Sequence, residues 1–403
     1  MSSFSPEHPS TEAARPLRIL LVVEPGFDGV FRQVAGLVRF LLEQKQQVFF
    51  AYSDKRGSPE LLELVTEAKK KGAQCLNLRV ANAPHPRDLR ALYQLWMFGR
   101  RAQPEIIHSH SSKAGVLGRT LALLGQKGRQ FYTPHAYYGM APRRGWSNDV
   151  YNGVERSYGW IGQTVNISED EREFARDVLS ISDGRALLIP IGIDTNHFRP
   201  PTPEEKIRLR RHLNLPENAV ILGSMGRLSF QKDPQTLYRA FALARQQGRQ
   251  FHLLHVGQGS EAETLESLTD QLNLQGQLLR IPYLREPLQF HRAIDGLILT
   301  SRYEGCPTVA LEAMACDLPL ILSTGPGNRW LGGCGLSHCW TAAVENVNGF
   351  AQAMTDWFDD LHLKRPSNHR DYAVSHFDLK DRYGDILKAY RSAAATNQEN
   401  RSA

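Results

Sequence analysis

Short apolar runs alternate with amphipathic segments along this chain, and the alternation stops once and then begins again. RILLVVEP (18–25) reads as a strand. Val30, Val34, Leu37, Val38 and Leu41 follow at the i, i+4, i+7, i+8 spacing of one helical face. Further strand candidates lie at 47–53, 74–80, 106–110, 130–134, 164–168 and 186–191. Residues 192–218 break the rhythm: GIDTNHFRPPTPEEK is rich in proline and charge, and a short helical stretch ends at Asn214-Leu215-Pro216. The pattern then restarts with strand candidates at 219–228, 251–257, 278–284, 296–301 and 319–323. Such βαβ alternation predicts an α/β fold with parallel sheets under helices. Two rounds of it predict two doubly wound halves, because one sheet would need far more strands than usual. Ligands of such sheets bind outside the carboxyl ends of the strands, so two facing halves imply a cleft.

The expected division follows. Residues 1–16, rich in Ser, Pro and Glu, read as a disordered leader. Residues 17–195 and 196–378 form the two halves. Residues 379–403 hold a helix from Leu379 to Tyr390, expected to pack back on the first half, and a frayed tail.

Composition removes several classes of function. No apolar stretch reaches the roughly 20 residues needed to cross a bilayer, and the N-terminal stretch has no apolar core of a secretion signal. Five cysteines in 403 residues do not suggest a disulfide framework. Cys334, His338 and Cys339 are close in sequence, but no second ligand pair is near, so no metal is expected. The expectation is a cytoplasmic protein with reduced thiols. The net charge is +6, and residues 1–195 hold 25 Lys and Arg against 20 Asp and Glu. That excess suits an anionic membrane surface or phospholipid-linked acceptor, or simply a solvated basic face. No helix-turn-helix, zinc finger or RNP-like motif suggests nucleic acid, and no G-x-G-x-x-G run suggests a nicotinamide.

The chemistry concentrates in SRYEGCPTVALEAMACDLPLILS (301–323). A strand runs into a loop, a helix and another strand. Pro307 suits the first helical position, which leaves the amides of Thr308 and Val309 at a helix start able to receive an anion. Glu304 lies in the loop and Glu312 in the helix. A glycosidase pair needs roughly 5–9.5 Å between its carboxyls, whereas eight residues of helix span ~12 Å. One carboxylate for sugar hydroxyls and the other for a ribose diol fits better. The spacing alone also allows Glu304 as a helix cap and Glu312 as a solvent-facing residue. In SMGRLSFQKDP (224–234), Arg227 and Lys232 converge on one loop. There they suit a diphosphate and the charge that grows on it as it leaves. In HVGQGSE (255–261), Gly257 and Gly259 permit close backbone approach to a ligand.

These residues resemble a known family. Glu304-Gly305-Cys306-Pro307, Glu312-Ala313-Met314-Ala315 and Pro319 resemble the E-x7-E signature of retaining glycosyltransferases of family 4, which have the GT-B fold of two Rossmann-like domains around a cleft. Similar members act in bacterial capsule, exopolysaccharide and lipopolysaccharide synthesis. The resemblance runs over roughly residues 17–390. It implies a donor site holding a nucleotide diphosphate sugar, a UDP-sugar by expectation. Gly305, Cys306, Thr308 and Val309 would lie beside the donor, with Glu304 on the hexose and Glu312 on the ribose. Arg227 and Lys232 would hold the diphosphate without a metal or other cofactor. RIPYL, with Ile281 and Tyr283, resembles the turn that reads the base.

EPGFDGVFRQVAGL (24–37) resembles the family's glycine-rich first loop, with Gly26 and Gly29 as its backbone positions. IIHSHSSKAGVLGR (106–119) offers Lys113 and Arg119 to an anionic acceptor. YTPHAYY (132–138) puts His135 at a strand end near the sugar, as a positioning group. IPIGIDTNHFRP (189–200) resembles the linker. Ile191 stands where Asn is usual, Ala136 where Gly or Asp is commoner, and 323–340 departs from the family's glycine-rich run. Transfer to a glycan or lipid-linked acceptor at the inner membrane face is the implied function. A non-catalytic nucleotide-sugar-binding scaffold or partner subunit is the alternative; an epimerase of the same fold is disfavoured by the E-x7-E match.

Overall fold

The computed structural model describes residues 15–26, 28–55, 57–81, 84–142, 146–363 and 365–402. The expected leader, apart from Arg15 and Pro16, lies outside the described residues.

Thirteen strands are described: β1 (Arg18–Val23), β2 (Gln47–Tyr52), β3 (Gln74–Asn77), β4 (Ile106–His110), β5 (Arg129–Thr133), β6 (Gln163–Asn166), β7 (Ala186–Leu188), β8 (Ile221–Met225), β9 (His252–Val256), β10 (Leu278–Ile281), β11 (Gly296–Leu299), β12 (Leu320–Ser323) and β13 (Cys339–Ala342). They form a seven-stranded sheet ordered β3-β2-β1-β4-β5-β6-β7 and a six-stranded sheet ordered β10-β9-β8-β11-β12-β13. Helices connect successive strands, and neighbours run parallel, as in β1–β2, β8–β9 and β11–β12. Both sheets are thus doubly wound α/β, as the alternation predicts. β13 was not among the strand candidates. It pairs in parallel with β12, Leu320 opposite Cys339 through Ser323 opposite Ala342.

The chain divides into two compact units. One comprises Met1–Ser109, Leu117–Gln130 and Ala389–Ala403; the other comprises His110–Val116 and Phe131–Lys388. In the first, β1 and β2 bury their side chains almost without exception, the signature of strands covered on both faces. The C-terminal helix runs Leu379–Ser402 rather than fraying after Tyr390. Tyr390 is fully buried, and its hydroxyl meets Nδ1 of His108.

In the second unit, the period of two along the strands sorts the six-stranded sheet into two cores. Ile221, Leu254, Leu297, Leu299, Leu320 and Leu322 face one way, against Phe290, Ala310 and Leu311. Leu222, Leu253, Ile298 and Ile321 face the other, against Phe241, Phe350 and Trp357. The linker is bonded to the chain's return: Ile193 N–H donates to Phe377 O at 2.8 Å, and Leu379 N–H to Ile193 O at 2.9 Å. A Cβ on Gly192 would stand 2.7 Å from Leu379 Cα, which is why the linker needs glycine there.

Candidate active site

β8 ends at Met225, and the loop after it carries Arg227 and Lys232 before Asp233 turns left-handed (φ 48°) into the helix Pro234–Gln246. β11 ends at Leu299, and its loop carries Arg302 and Glu304. The two loops meet. Lys232 Nζ lies 2.5 Å from Glu304 Oε1, with the lysine side chain 22% exposed and the glutamate 8%. A carboxylate so little hydrated needs its charge answered, and the ammonium answers it. Arg302 fastens the loops together. Its backbone N–H donates to Gln231 O at 2.8 Å. Its guanidinium bonds Phe230 O at 2.5 Å and Glu345 at 2.6 Å, pairs with Asp233 at 3.0 Å and stacks 4.1 Å over the Phe230 ring. Arg227 is exposed and donates to Gln231 Oε1 at 3.3 Å. A narrow cavity opens beside Lys232, lined by Met225, Gly226, His255, Thr300 and Ser301. These residues sit at or just past the carboxyl ends of β8, β9 and β11, the edge where doubly wound sheets bind ligands.

Gly257 and Gly259 need glycine because the chain packs close to itself there. A Cβ on Gly257 (φ 156°) would lie 1.9 Å from Gly226 O, and one on Gly259 2.2 Å from Leu228 O. The close approach is to the backbone of the Arg227 loop. Gly257 N–H is already spent on Ile281 O at 3.0 Å, and Leu228 N–H on Gln258 O at 2.8 Å. The turns after β8, β9 and β10 are thereby knit into one rigid rim. Ile281 is half-buried in it, and Tyr283, 63% exposed, projects beyond.

The helix after Glu304 runs Thr308–Ala315, so Pro307 is its N-cap rather than its first residue, a shift of one position. Thr308 and Val309, both half-buried, stand in the first turn, where amides lack intrahelical carbonyls. From Ala310 to Ala315 every residue is buried, so the helix is interior rather than amphipathic. Glu312 is therefore not solvent-facing. It is 2% exposed, with Oε2 3.0 Å from Nε2 of the fully buried His291. Cys306 is buried too, and burial first, then the charges of Glu171 and Glu304, push its thiol well above the ordinary range.

His135 joins this assembly through the glycine after Glu304. A Cβ on Gly305 would lie 2.7 Å from Ala136 N and 3.0 Å from His135 C, so only glycine lets the two loops touch. His135 and Ala136 both have positive φ, 56° and 83°, which costs an L-residue of order 1–3 kcal/mol where it falls outside the favoured wells. His135 Nε2 is 3.1 Å from His110 Nδ1. Desolvation of the ring holds it neutral, its pKa pushed down to about 3. The buried Glu171 accepts Ala136 N–H at 2.7 Å on one oxygen and Ile167 N–H at 2.7 Å on the other. Burial pushes Glu171 up to about 7, against the pull of those two donors.

His110, Glu171, His291 and Arg302 were not singled out from the sequence. Signals existed for three: the His-Ser-His at 108–110, the Ser-x-x-Glu capping pattern at 168–171 and the Arg within SRYEG.

The departing 323–340 stretch is held by Asp170. Its carboxylate accepts Gly327 N–H at 2.6 Å and Trp330 N–H at 3.1 Å, and it pairs with Arg329. His338 bonds Asp360 at 2.6 Å and Cys334 donates to Trp330 O at 3.3 Å.

In the other unit, Gly26 bridges Gly57 in parallel and accepts Ser58 N–H at 2.8 Å. Gly29 is the second residue of the helix Asp28–Glu43. Arg119 is 1% exposed. It lies two residues from both Leu117 and Leu121, on the opposite side of its helix from those two buried leucines. Lys113, half-buried, stands at the start of the same helix, Ser112–Leu123, whose first residues to Val116 belong to the unit of the six-stranded sheet.

Comparison with known proteins agrees with this architecture. The family model described as Glycosyltransferase Family 4 matches residues 27–197, and that described as Glycosyl transferases group 1 matches residues 205–373. A UDP-Gal:alpha-D-GlcNAc-diphosphoundecaprenol alpha-1,3-galactosyltransferase of Escherichia coli is 26% identical over 320 residues, 75% of this chain and 79% of the relative. Among solved structures, HepE of Anabaena in complex with UDP and glucose has a TM-score of 0.76 at 17% identity, covering 93% of this chain and all (100%) of that one. Sucrose-phosphate synthase of Thermosynechococcus elongatus has a TM-score of 0.78 at 19% identity, covering 95% and 100%. With two family models lying end to end along residues 27–373 and a GT-B structure covering 93% of the chain, the chain belongs to the family 4 type of glycosyltransferases with the GT-B fold.

Proposed function

We propose that this glycosyltransferase moves a hexose-type sugar, with retention of configuration, from a UDP-sugar to a glycan or lipid-linked acceptor in cell-surface polysaccharide synthesis. The observation that carries the donor assignment is the 2.5 Å contact of Lys232 with Glu304 at the carboxyl edge of the six-stranded sheet. In this reading Glu304 takes the hexose hydroxyls. Lys232, Arg227 and the first amides of the helix at Thr308 take the diphosphate, whose growing charge they stabilise as the bond to the sugar breaks. Gly305 and Cys306 border the sugar, Ile281 and Tyr283 the base, and Glu312 the ribose, in competition with His291. His135, neutral through the working pH range, positions the sugar. Gly26 and Gly29 supply backbone beside the donor, and Lys113 a charge for the acceptor. Residues 17–195 serve the acceptor and 196–378 the donor.

The acceptor class is supported by the E. coli relative, whose name describes galactose transfer to a diphosphoundecaprenol-linked sugar. Among the described residues no helix is long and apolar enough to cross a membrane. We infer a peripheral association through the basic charge of residues 1–195, from the cytoplasmic side.

The test incubates purified protein with UDP-, GDP- and ADP-sugars, reads thermal stabilisation first, and then follows transfer to a diphospholipid-linked sugar. The anomeric coupling constant of the product is measured, with EDTA present and absent. Stabilisation by UDP-sugars, transfer with the donor's configuration and indifference to EDTA are expected. Inversion removes the retaining assignment, EDTA inhibition the metal-free one. Binding without turnover of any acceptor favours a non-catalytic scaffold.

A further inference from the structure

The turn that carries His135 is built from residues that do not favour it. His135 and Ala136 have φ of 56° and 83°, and neither is glycine. Left to itself, Ala136 would abandon that conformation. Something outside the turn must hold it, and one group is placed to do so. Glu171 comes from the first turn of the helix Glu169–Glu173, whose N-cap is Ser168. In an ordinary capping box the third residue reaches back to the N-cap amide. Here Glu171 reaches one residue further, to Ile167, and spends its second oxygen on Ala136, 35 residues away in sequence. Each contact is 2.7 Å, and the side chain is fully buried. A helix cap needs only one of these bonds. The second ties the helix start to the His135 turn, and Gly305 rests on that same turn, next to Glu304.

We propose that Glu171 is a positioning residue for transfer: its carboxylate holds the Ala136 amide and so fixes His135 and the Glu304–Gly305 loop in register. This rests on the proposed donor site. Protonation would convert one acceptor oxygen to a hydroxyl and release one of the two amides, so the device carries a pH signature. Cys306 and His135, beside Glu171, do not blur it. Cys306 stays a thiol and His135 stays neutral across the range in which Glu171, pushed up to about 7 by burial, changes charge. Glu304 is paired with Lys232, Asp170 with Arg329, and Glu169 with Arg172. His110 stands behind His135.

The experiment compares wild type, Glu171→Gln, Ala136→Gly and the double variant. Hydrogen exchange of the segment containing Ala136, corrected for intrinsic rate, is followed with transfer kinetics from about pH 5.5 to about pH 9. In wild type we expect Ala136 to be protected at high pH and exposed below about 7, with kcat falling in parallel. Glu171→Gln should lower kcat at high pH by about tenfold or more, with donor KM little changed, since misplacement costs turnover rather than ground-state binding. It should also abolish the acid limb. Ala136→Gly should restore most of the kcat of Glu171→Gln, because glycine adopts the turn unaided. The proposal is overturned if Glu171→Gln leaves Ala136 protection unchanged, or keeps both wild-type kcat and its acid limb. It is also overturned if Ala136→Gly rescues nothing. If wild type transfers no sugar, the functional reading fails, while the exchange data still decide whether Glu171 holds the turn.

Discussion

Lys232 and Glu304 are tied to each other for stability and to the donor for activity, and the two ties can be separated by mutation. At 2.5 Å and an effective dielectric near 20, two unit charges attract by roughly 6–7 kcal/mol before desolvation. The lysine is 22% exposed and the glutamate 8%, so solvent screens part of this and desolvation cancels more. A net coupling of about 2 kcal/mol is the reasonable expectation. The losses should be asymmetric. Lys232→Met strands a buried carboxylate and should cost about 2–3 kcal/mol. Glu304→Gln leaves an ammonium with its own route to water and should cost about 1 kcal/mol. The double variant removes both charges and should sit within about 1 kcal/mol of wild type. Urea unfolding followed by tryptophan fluorescence reads these values. Turnover should behave oppositely: each single variant loses about 10²–10³ in kcat, and the double variant recovers none of it. If the double variant regains both stability and turnover, the pair is only structural and the donor assignment is wrong. If the coupling is below about 0.5 kcal/mol, the pair is a surface contact and the electrostatic reasoning fails.

Other consequences can be checked more quickly. Gly257→Ala puts a methyl 1.9 Å from Gly226 O, and the rim must open. A loss of about 2 kcal/mol or more and of UDP-induced thermal stabilisation is expected, and an unchanged melting temperature would refute the packing argument. Arg302→Lys keeps the charge but loses the stack on Phe230 and the forked bonding. It should raise donor KM several-fold while Lys232 and Glu304 remain intact, and wild-type kinetics would show that the loop is held by other means. His135, pushed down to about 3 by desolvation, should show no ring titration by NMR above about pH 5. Glu171, raised from 4.5 to about 7, binds its proton more tightly in the folded state than in the unfolded one. Its contribution to stability therefore falls as pH rises from about 4.5 to about 7, by about 3 kcal/mol at most, and is flat above. Relative to Glu171→Gln, wild type should gain melting temperature on acidification from pH 8 to about 5 while its transfer rate drops, and parallel loss of both would count against the assignment.

The strands were legible because a sheet covered on both faces writes itself as continuous apolar runs. The errors have a pattern. The expected 219–228, 278–284 and 296–301 overrun β8, β10 and β11, which end at Met225, Ile281 and Leu299. The surplus residues, among them Gly226, Pro282 and Thr300, are the loops at the carboxyl edge. Parts of these loops, Leu228, Thr300 and Ser301 among them, are buried like the strands they follow, so hydrophobicity does not mark where the strand stops. β13 was illegible for the opposite reason. It is four residues long, half-exposed at the sheet edge, and follows a left-handed His338, leaving little apolar run to read.

The site divides along similar lines. Lys232, Glu304 and the helix start at Thr308 were readable because a strand–loop–helix turn is local, and spacing reports local geometry. What holds them was not. Asp170 reaches Gly327 across 157 residues, and Glu171 reaches Ala136 across 35. In both cases a carboxylate satisfies backbone amides, which have no side-chain identity to betray the partner. The glycines show the same limit from the other side. Gly257 and Gly259 were read as permitting close approach to a ligand and Gly305 as lying beside the donor; a Cβ at any of the three would also meet protein backbone. A glycine in a functional loop thus records that something approaches closely, not what approaches. The distinction matters for substitution. A ligand-facing glycine changed to alanine would lose binding alone, whereas Gly257 and Gly259 should lose the rim, and Gly305 its seat on the His135 turn, with binding lost only as a consequence. Measured together, unfolding midpoint and donor affinity must therefore move in step at these three positions, but not at Glu304, where Gln should cost turnover far more than stability.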